Sequence, residues 1–505
     1  MFITSFWSVD ILLLFVAIFF LLYGYCVRNL DYWRKKGVFH LKPIPFFGNA
    51  YDLCTFKINM GEWFGSIYES VKEPFVGVFI FDQPYLIVNS PQLIREILIK
   101  DFSSFSDRTV LSPDHDKLFS SMIFVQKGPE WKTVRSKMSP VFSTSKLRHM
   151  FDIINDAALD MNKYLRKNQN QLDAKEICSK YSTDVIAICA FAIKAYSFED
   201  EDAAFRNVGR QLFDFKWRNA IVQSLYFFGQ KWVNLLQLNF FDSWTKKFLT
   251  SAFWEAIRKR EETKVARNDI IDVIINMRQN KELCKEINFE GDTVVAQAMQ
   301  FFTAGFETTS SIMAFTLYEL SLFPDKQNEL RKEILDNIKK NNGITYDGMH
   351  EMKYLDMCVM ETLRMFPPLP FLDRRCIVDY KIPGTNVVID KGTPIFIPMM
   401  GLHYDEKFFS NPKEYNPERW INKNSYNVNG LYYIPFGDGP RTCIGQRFGT
   451  LATKLGLVHI ISQFTVESTP DTPQSLEFEP RCFLLKAKEE LYLKFKDICH
   501  GCKEV

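Results

Sequence analysis

An uncharged apolar run near the N-terminus, from Ile11 to Val27, constrains this chain more than any other feature of its sequence. These roughly 17 residues just reach the length that crosses a bilayer, and Trp7 before them suits the membrane interface. Lipid offers no hydrogen-bond partners, so a crossing segment must pair its backbone groups internally as a helix. We therefore predict a membrane anchor over residues 1–28.

A cleaved signal peptide is the alternative interpretation of this run. It is disfavoured because no basic residue precedes the run, Asp10 is acidic and no small-residue cleavage site follows. Basic residues do follow the run, at Arg28, Arg34, Lys35 and Lys36. By the positive-inside rule the rest of the chain lies in the cytosol, which for a eukaryotic-looking chain indicates a single-pass protein of the endoplasmic reticulum membrane.

The pattern beyond the anchor predicts a mainly α protein with small β-sheets. Helical periodicity dominates from about residue 92 to residue 366, while residues 75–88 and 378–398 are rich in β-branched residues and turn formers. The first of these stretches predicts a hairpin with its turn at residues 82–84. We divide the chain into the anchor, a basic and proline-containing linker over residues 29–50, one main domain over residues 51–495 and a tail over residues 496–505.

Composition narrows the classes of partner. The chain has 62 Lys and Arg against 60 Asp and Glu, so it lacks the cationic surplus of nucleic-acid binders, and nucleic acid is not expected as a partner. Its 11 Cys show no spacing typical of a disulfide framework or a zinc ribbon, which fits a reducing compartment. The close pair Cys499 and Cys502 is assigned to the tail. The 47 Phe suit a protein that buries something large, flat and apolar.

A glycine-rich loop, FGDGPRTCIG over residues 436–445, leads into a helix with apolar residues at helical spacing. A cysteine at a helix entry meets the positive end of the helix dipole and free N–H groups, which favour the thiolate that binds iron. Gly439 and Gly445 allow a flat ligand to approach the backbone. Arg441 can pair with a carboxylate and Phe436 can pack beneath a ring. A structural cysteine in an ordinary turn is the alternative for Cys443 alone, but the surrounding pattern favours an iron ligand.

The run F-x-x-G-x-R-x-C-x-G is similar to the haem-binding loop of the cytochrome P-450 family, and every specified position matches. The resemblance covers nearly the whole chain to about residue 495 and is closest to the insect microsomal branch that acts on foreign compounds. It implies haem b (iron protoporphyrin IX) with Cys443 as the axial thiolate, and dioxygen as co-substrate. It also implies electrons from NADPH through NADPH-cytochrome P-450 reductase, with cytochrome b5 as a second candidate partner.

A second motif of that family, E-x-x-R, is matched by Glu361 and Arg364. Residues three apart share a helix face, and taken alone such a pair is usually a solvent-exposed salt bridge. Arg419, in the sequence PERW, resembles the family's third member of this group. The resemblance therefore implies a buried network of Glu361, Arg364 and Arg419 that holds the cysteine loop, with Trp420 in place of the commoner Phe.

The segment from Ala304 to Thr308 lies within a long apolar helix predicted over residues 292–322. Gly305 weakens a helix there by about 1 kcal/mol and needs a reason, such as the opening of a groove. A Ser/Thr-rich packing face is the alternative interpretation. The segment resembles the family's oxygen-activating helix, which implies that Glu307 and Thr308 guide protons to dioxygen and that Ala304 lies against the cofactor.

The resemblance assigns further residues to the cofactor and the substrate. Trp131 and Arg135 resemble the propionate-binding helix, and Arg374 resembles the strand residue that reaches a propionate, with Arg375 as an open alternative. The substrate pocket is expected to draw on Phe119, Phe301, Phe302, Leu369, Phe371, Phe483 and Leu484.

As a whole, the resemblance implies an oxidoreductase that inserts one atom of dioxygen into apolar small molecules, either foreign compounds or endogenous lipophiles, at a membrane whose lipid is a further partner. Two alternatives stay open at this point. A haem-thiolate isomerase or dehydratase can dispense with the acid and the alcohol, so Glu307 and Thr308 argue against it. A non-catalytic haem-binding or lipid-binding protein has no use for an oxygen-activating helix.

Overall fold

The computed structural model describes residues 7–168, 170–213, 216–265, 267, 269–421 and 431–498. Most of the predicted tail, including Cys499 and Cys502, lies outside these residues. The predicted anchor forms helix α1, Trp7–Val27, and none of its side chains is buried in the protein. Within the described part of the chain, the stretch Trp7–Lys35 is the one helical segment long and apolar enough to cross a membrane.

The main domain consists mostly of α-helices, which confirms the predicted fold class. After α1 the helices are, in chain order, α2 Tyr32–Lys35, α3 Tyr51–Cys54, α4 Met60–Ser70, α5 Pro91–Arg95, α6 Lys117–Ser120, α7 Gly128–Met138, α8 Thr144–Lys167, α9 Ala174–Phe191, α10 Ala204–Leu212, α11 Trp217–Phe228, α12 Gln230–Leu236, α13 Ser243–Thr263, α14 Ile270–Gln279, α15 Lys281–Ile287, α16 Asp292–Leu322, α17 Pro324–Asn341, α18 Gly348–Glu351, α19 Lys353–Met365, α20 Met399–His403 and α21 Gln446–Gln463.

Helix α16 runs through the middle of the domain and packs against α9 and α21. It follows Gly291, whose φ of 51° suits glycine, and it ends just before Pro324, which starts the next helix. The predicted bounds 292–322 are confirmed. Because most of its side chains are buried on every side, α16 is a core helix whose polar residues need a specific reason.

The described strands form three small sheets. They are β1 Phe75–Ile80, β2 Gln83–Val88, β3 Gln171–Asp173, β4 Leu372–Arg375, β5 Tyr380–Lys381, β6 Val388–Ile389, β7 Pro394–Ile397, β8 Phe464–Ser468 and β9 Tyr492–Asp497. The first sheet has the order β1-β2-β7-β4, the second β3-β9-β8 and the third β5-β6. The first sheet matters most for the site, because β4 brings Arg374 beside it.

The predicted hairpin is present, but its turn is displaced. Strands β1 and β2 pair antiparallel from Phe75 with Val88 to Ile80 with Gln83, so Pro84 lies within β2 and the turn lies at residues 81–82. Proline is tolerated there because β7 pairs with β2 only at Leu86 and Ile87.

Candidate active site

A cavity along α16 brings together two motifs that are far apart in the sequence. It has a volume of about 360 Å³, and its walls are mostly aliphatic and aromatic. Cys443 and Phe436 of the cysteine loop line it, and so do Ala304 and Thr308 of α16. The two motifs therefore face one apolar space.

The cysteine loop turns sharply because two of its glycines take left-handed backbone angles. Gly437 and Gly439 have φ of 70° and 71°. A Cβ at Gly439 would lie 2.0 Å from the carbonyl oxygen of Leu98, so only glycine fits there. Gly439 thus allows the loop to pack against Leu98, and of the two glycines predicted to meet a flat ligand it is Gly445 that lines the cavity.

The free surface of Cys443 faces the cavity, where surrounding protein atoms separate it from bulk solvent. Burial raises the pKa of the Cys443 thiol, while the Gly445 N–H and the charges of Arg135 and Arg108 oppose that rise. Desolvation, which the helix-end argument omitted, thus opposes the groups that favour the thiolate. A coordinated metal ion deprotonates a thiol outright, so bound iron would stabilise the Cys443 thiolate further than the Gly445 N–H and the two arginines do.

Three guanidinium groups line the cavity, those of Arg108, Arg135 and Arg441, and the guanidinium of Arg374 lies close enough to Arg108 and Arg441 to interact with both. Burial, reinforced by repulsion from Arg108, lowers the pKa of Arg374 to about 9 and that of Arg441 to about 8. Arg374 is only 1% exposed, and its Nε has no hydrogen-bond partner among the described residues. Such a cluster of buried cations requires nearby anions.

Two carboxylates offset part of this charge. Asp373 accepts a hydrogen bond of 2.8 Å from Arg108, and Asp107 lies 3.9 Å from Arg441. The four guanidinium groups outnumber these two carboxylates, and Lys127 and Arg375 interact with the same two carboxylates, so the cluster keeps a surplus of positive charge. Haem b carries two propionates, so the residues present fit that cofactor.

Helix α7 places the Trp131 and Arg135 side chains one turn apart, and both line the cavity. The Arg441 guanidinium lies over the Trp131 ring, 3.9 Å from its centroid. Arg441 also donates hydrogen bonds to the carbonyl oxygens of Ser106, Ile123 and Gln126. These bonds hold the arginine at the cavity wall and leave two of its five N–H groups for an anion.

The structure distinguishes Arg374 from Arg375. Arg375 donates to the carbonyl oxygens of Gly392 and Thr109, both at 3.1 Å, and to the amide oxygen of Gln230 at 3.2 Å. Among the described residues the Arg374 guanidinium donates one hydrogen bond, of 2.7 Å to the carbonyl oxygen of Asp373, so it keeps more free N–H groups than Arg375, which favours Arg374 as the propionate partner. Arg108 was missed in the sequence because it lies outside any recognised motif, and only the fold brings it to Asp373.

Thr308 and Glu307 lie on different faces of α16. Thr308 lines the cavity, and its hydroxyl donates a hydrogen bond of 2.7 Å to the carbonyl oxygen of Ala304. Thr309 also lines the cavity. A glycine at position 305 also allows α16 to pack closely against α9, because a Cβ there would lie 2.8 Å from Ile186 Cδ1.

Glu307 is 3% exposed and points away from the cavity. Its carboxylate lies 3.1 Å from the Nζ of Lys175, which also donates a hydrogen bond of 2.6 Å to Ser310. Helix α9 positions this lysine, because Asp173 caps the helix by accepting the backbone N–H groups of Lys175 and Glu176. Burial lowers the pKa of Lys175, and the charge of Glu307 opposes that change. No sequence motif around Lys175 indicates that it pairs with Glu307.

Glu361 is the centre of a fully buried ion network. It accepts two hydrogen bonds from Arg364, at 3.0 and 2.9 Å, and one of 2.8 Å from Arg419. The indole N–H of Trp420 donates to the same carboxylate at 2.9 Å, so the exchange of Phe for Trp adds a hydrogen bond here. The network therefore has one carboxylate, two guanidinium groups and no contact with solvent.

His403 links this network to the cysteine loop. Arg364 donates to the carbonyl oxygen of His403 at 2.8 Å, and the ring nitrogen Nδ1 of His403 lies 3.0 Å from the carbonyl oxygen of Arg364. The other ring nitrogen accepts the N–H of Ile434 at 3.2 Å, just before the loop begins. Burial lowers the pKa of His403 to about 3, so the ring is neutral and can make both bonds.

The predicted substrate residues divide into two groups. Phe119, Phe301, Leu369 and Leu484 line the cavity. Phe302 and Phe371 do not, because Phe302 stacks on Phe306 and Phe371 packs against Phe64 and Phe396 in the core. Phe483, predicted together with Leu484, also lines the cavity. The prediction missed the lining residues between α10 and α13, among them Leu212, Gln223, Phe227, Phe240 and Phe241.

Comparison with known proteins supports the resemblance. The family model for cytochrome P450 matches residues 40–495. Cytochrome P450 6k1 of Blattella germanica is 39% identical over 507 residues, which span 96% of this chain and 97% of that protein. Cytochrome P450 6j1 of the same species is 37% identical, with 96% and 97% covered, and probable cytochrome P450 6g2 of Drosophila melanogaster is 36% identical, with 92% and 94% covered. These insect relatives and the matched family model establish that the chain belongs to the cytochrome P450 family and is an oxidoreductase of the haem-thiolate monooxygenase class.

Proposed function

We propose that this protein is a microsomal monooxygenase of apolar small molecules, foreign compounds or endogenous lipophiles, supplied with electrons from NADPH by NADPH-cytochrome P450 reductase. The observation that carries the proposal is that Cys443 and Thr308 line one apolar cavity beside a surplus of buried positive charge. In the proposed reaction one oxygen atom of dioxygen enters the substrate, and the other leaves as water with two electrons from NADPH and two protons. Haem b would supply the oxygen-activating chemistry.

The residues around the cavity would share the task of holding this cofactor. Cys443 would bind the iron, and the four arginines would offset the propionates. Four further residues that line the cavity would pack against the flat ring, namely Trp131, Ala304, Phe436 and Gly445.

Thr308 and Glu307 would handle protons from different faces of α16. The Thr308 hydroxyl lies at the cavity and can hold a water molecule there. Glu307 would take up protons on the α9 side, beside Lys175, and carry them round the helix by a change of rotamer. Lys175 would act as a positioning residue for that carboxylate.

Thr308→Ala is expected to uncouple the reaction. Without the hydroxyl the delivery of protons slows, so reduced oxygen leaves as hydrogen peroxide before substrate is oxidised. The fraction of NADPH that yields oxidised product should fall by about tenfold or more, while haem content stays unchanged. The measurement is NADPH consumed, hydrogen peroxide released and product formed, with reductase and any substrate that the wild type turns over.

Thr309→Ala is the matched control, because Thr309 is the same residue type on the next position of the helix. It points about 100° away around α16 and should keep nearly normal coupling. If Thr309→Ala uncouples the reaction and Thr308→Ala does not, the proton-handling alcohol is misassigned. If neither substitution matters, this face of α16 serves packing alone.

Dependence on the electron donor separates the proposed function from the two alternatives. A panel of hormones, fatty acids, plant toxins and insecticides should yield oxidised products, detected by mass spectrometry, only when NADPH and reductase are both present. Cytochrome b5 is proposed as a second partner and should raise the rate with some substrates. Product formed from peroxides without reductase would indicate an isomerase or dehydratase instead.

We further propose that α1 anchors the protein in the endoplasmic reticulum membrane with the main domain on the cytosolic face. Deletion of residues 1–28 should release most of the protein from membranes with its haem site intact, because α1 contributes no buried side chain. Some peripheral attachment is expected from exposed apolar residues such as Trp232, Leu235 and Leu236 on α12. Sedimentation with membranes and haem content are the readouts, and glycosylation at a site engineered into the main domain would refute the cytosolic placement.

A further inference from the structure

Two glutamines interrupt the otherwise apolar part of the cavity. Gln223 of α11 is 8% exposed, and it has no hydrogen-bond partner among the described residues. Gln300 of α16 is 6% exposed, and its Oε1 accepts the backbone N–H of Phe124 at 2.9 Å. The Phe124 N–H is a donor, so it fixes the Gln300 amide with its oxygen toward Phe124. The Nε2 of Gln300 is then left without a hydrogen-bond partner in the described part of the chain.

Three other polar side chains that line the cavity have partners within the protein. Thr303 donates to the carbonyl oxygen of Gln300 at 3.1 Å, and Thr308 donates to that of Ala304. Arg108 is paired with Asp373. Gln223 and Gln300 are the two amide side chains in the lining, and both have hydrogen-bonding capacity left for a molecule that fills the cavity.

A buried polar group without a partner is unfavourable, so such groups are rare in folded proteins unless a ligand or a water molecule meets them. A site for pure hydrocarbons would be better served by Leu or Met in place of Gln223, which bonds to no described residue. The free atom of Gln300 is a donor, so the matching ligand atom must be an acceptor. Gln300 also precedes Thr308 by eight residues, or about 12 Å along the helix, so the acceptor lies at the end of the ligand remote from Thr308.

We propose that the substrates of this enzyme are apolar molecules that carry a hydrogen-bond acceptor, such as a carbonyl oxygen, which Gln300 recognises and Gln223 supports. This inference rests on the proposed function and names its substrate class. Gln223 and Gln300 are specificity-determining residues, since they discriminate between ligands and take no part in the reaction.

The test compares 9-fluorenone with fluorene, two rigid tricyclic molecules of nearly the same shape that differ in one carbonyl group. Dissociation constants are measured from the shift of the Soret band in full-length, detergent-solubilised holoprotein. Fluorenone should bind about tenfold more tightly than fluorene to the wild type. In Gln300→Met, which removes the donor and keeps the side-chain length, the ratio should fall to about one, because fluorenone loses affinity and fluorene does not.

Two further variants make the result decisive. Gln223→Met breaks no hydrogen bond within the described residues, so it should lower the ratio without lowering the unfolding temperature, even if Gln300→Met disturbs the loop at Phe124. Thr303→Val, the matched control, removes a hydroxyl that is already bonded to a carbonyl and should keep the full ratio. Equal affinities in the wild type, or a tenfold ratio that survives in both glutamine variants, would overturn the proposal. The proposed function is judged separately, by the carbon monoxide spectrum and by the reductase dependence of turnover.

Discussion

Glu361→Ala is expected to yield protein that binds little or no haem. The substitution leaves the Arg364 and Arg419 guanidinium groups buried without their carboxylate and removes the acceptor of the Trp420 indole. Breaking a buried ion network in this way typically costs about 3–5 kcal/mol, a large part of the stability of a domain. Through His403 the same loss reaches Ile434 and the cysteine loop. Haem content per polypeptide and the midpoint of urea unfolding are the measurements.

The chain offers a matched control for this prediction. Glu255 and Arg258 on α13 form the same E-x-x-R pattern and the same kind of ion pair, at 2.6 Å, but their side chains are 38% and 60% exposed. Glu255→Ala should leave haem content and the unfolding midpoint unchanged, because solvent already screens that pair. Normal haem content in Glu361→Ala would instead show that the buried network does not support the cofactor site.

These two pairs also show what the sequence can and cannot predict. Spacing alone places both pairs on a helix face, and nothing in either segment says which one is buried. Glu361 was identified because the cysteine loop and Arg419 resemble the same family. The structure adds the physical reason for its importance, since exposed fraction and number of hydrogen bonds separate the two pairs.

Glycine and proline at the ends of a helix predict its bounds well, but the sequence predicts less well which face of the helix meets a ligand. The bounds of α16 follow from Gly291 and Pro324, and the structure has them at the predicted residues. The neighbouring residues Phe301 and Phe302 have the same chemistry, yet only Phe301 lines the cavity. In a helix that is apolar on all sides, periodicity carries no information on which face meets a ligand.

The site residues that were missed depend on long-range packing. Arg108 pairs with Asp373, Lys175 with Glu307, and the loop at Phe124 with Gln300. In each case one partner belongs to a segment without a motif, so only the fold makes the pair visible. The same holds for the desolvation of Cys443, which the helix-end argument could not include because burial is a property of the whole cavity.

The central claim is that the sulfur of Cys443 is the axial ligand of the haem iron. Cys443→Ser replaces a soft, strongly donating thiolate by a hydroxyl that binds iron weakly, and we expect it to abolish thiolate ligation and monooxygenase turnover. Cys482→Ser is the control, because Cys482 is a partly buried cysteine next to the cavity-lining Phe483 and has no assigned role. Both proteins are to be compared at equal haem content.

The most direct measurement is the absorption spectrum of the reduced protein with carbon monoxide. Wild type and Cys482→Ser should show the red-shifted Soret band that a thiolate ligand produces, because the thiolate pushes electron density onto the iron. Cys443→Ser should lack that band altogether. If Cys443→Ser keeps the red-shifted band, another residue ligates the iron and Cys443 is not the axial thiolate.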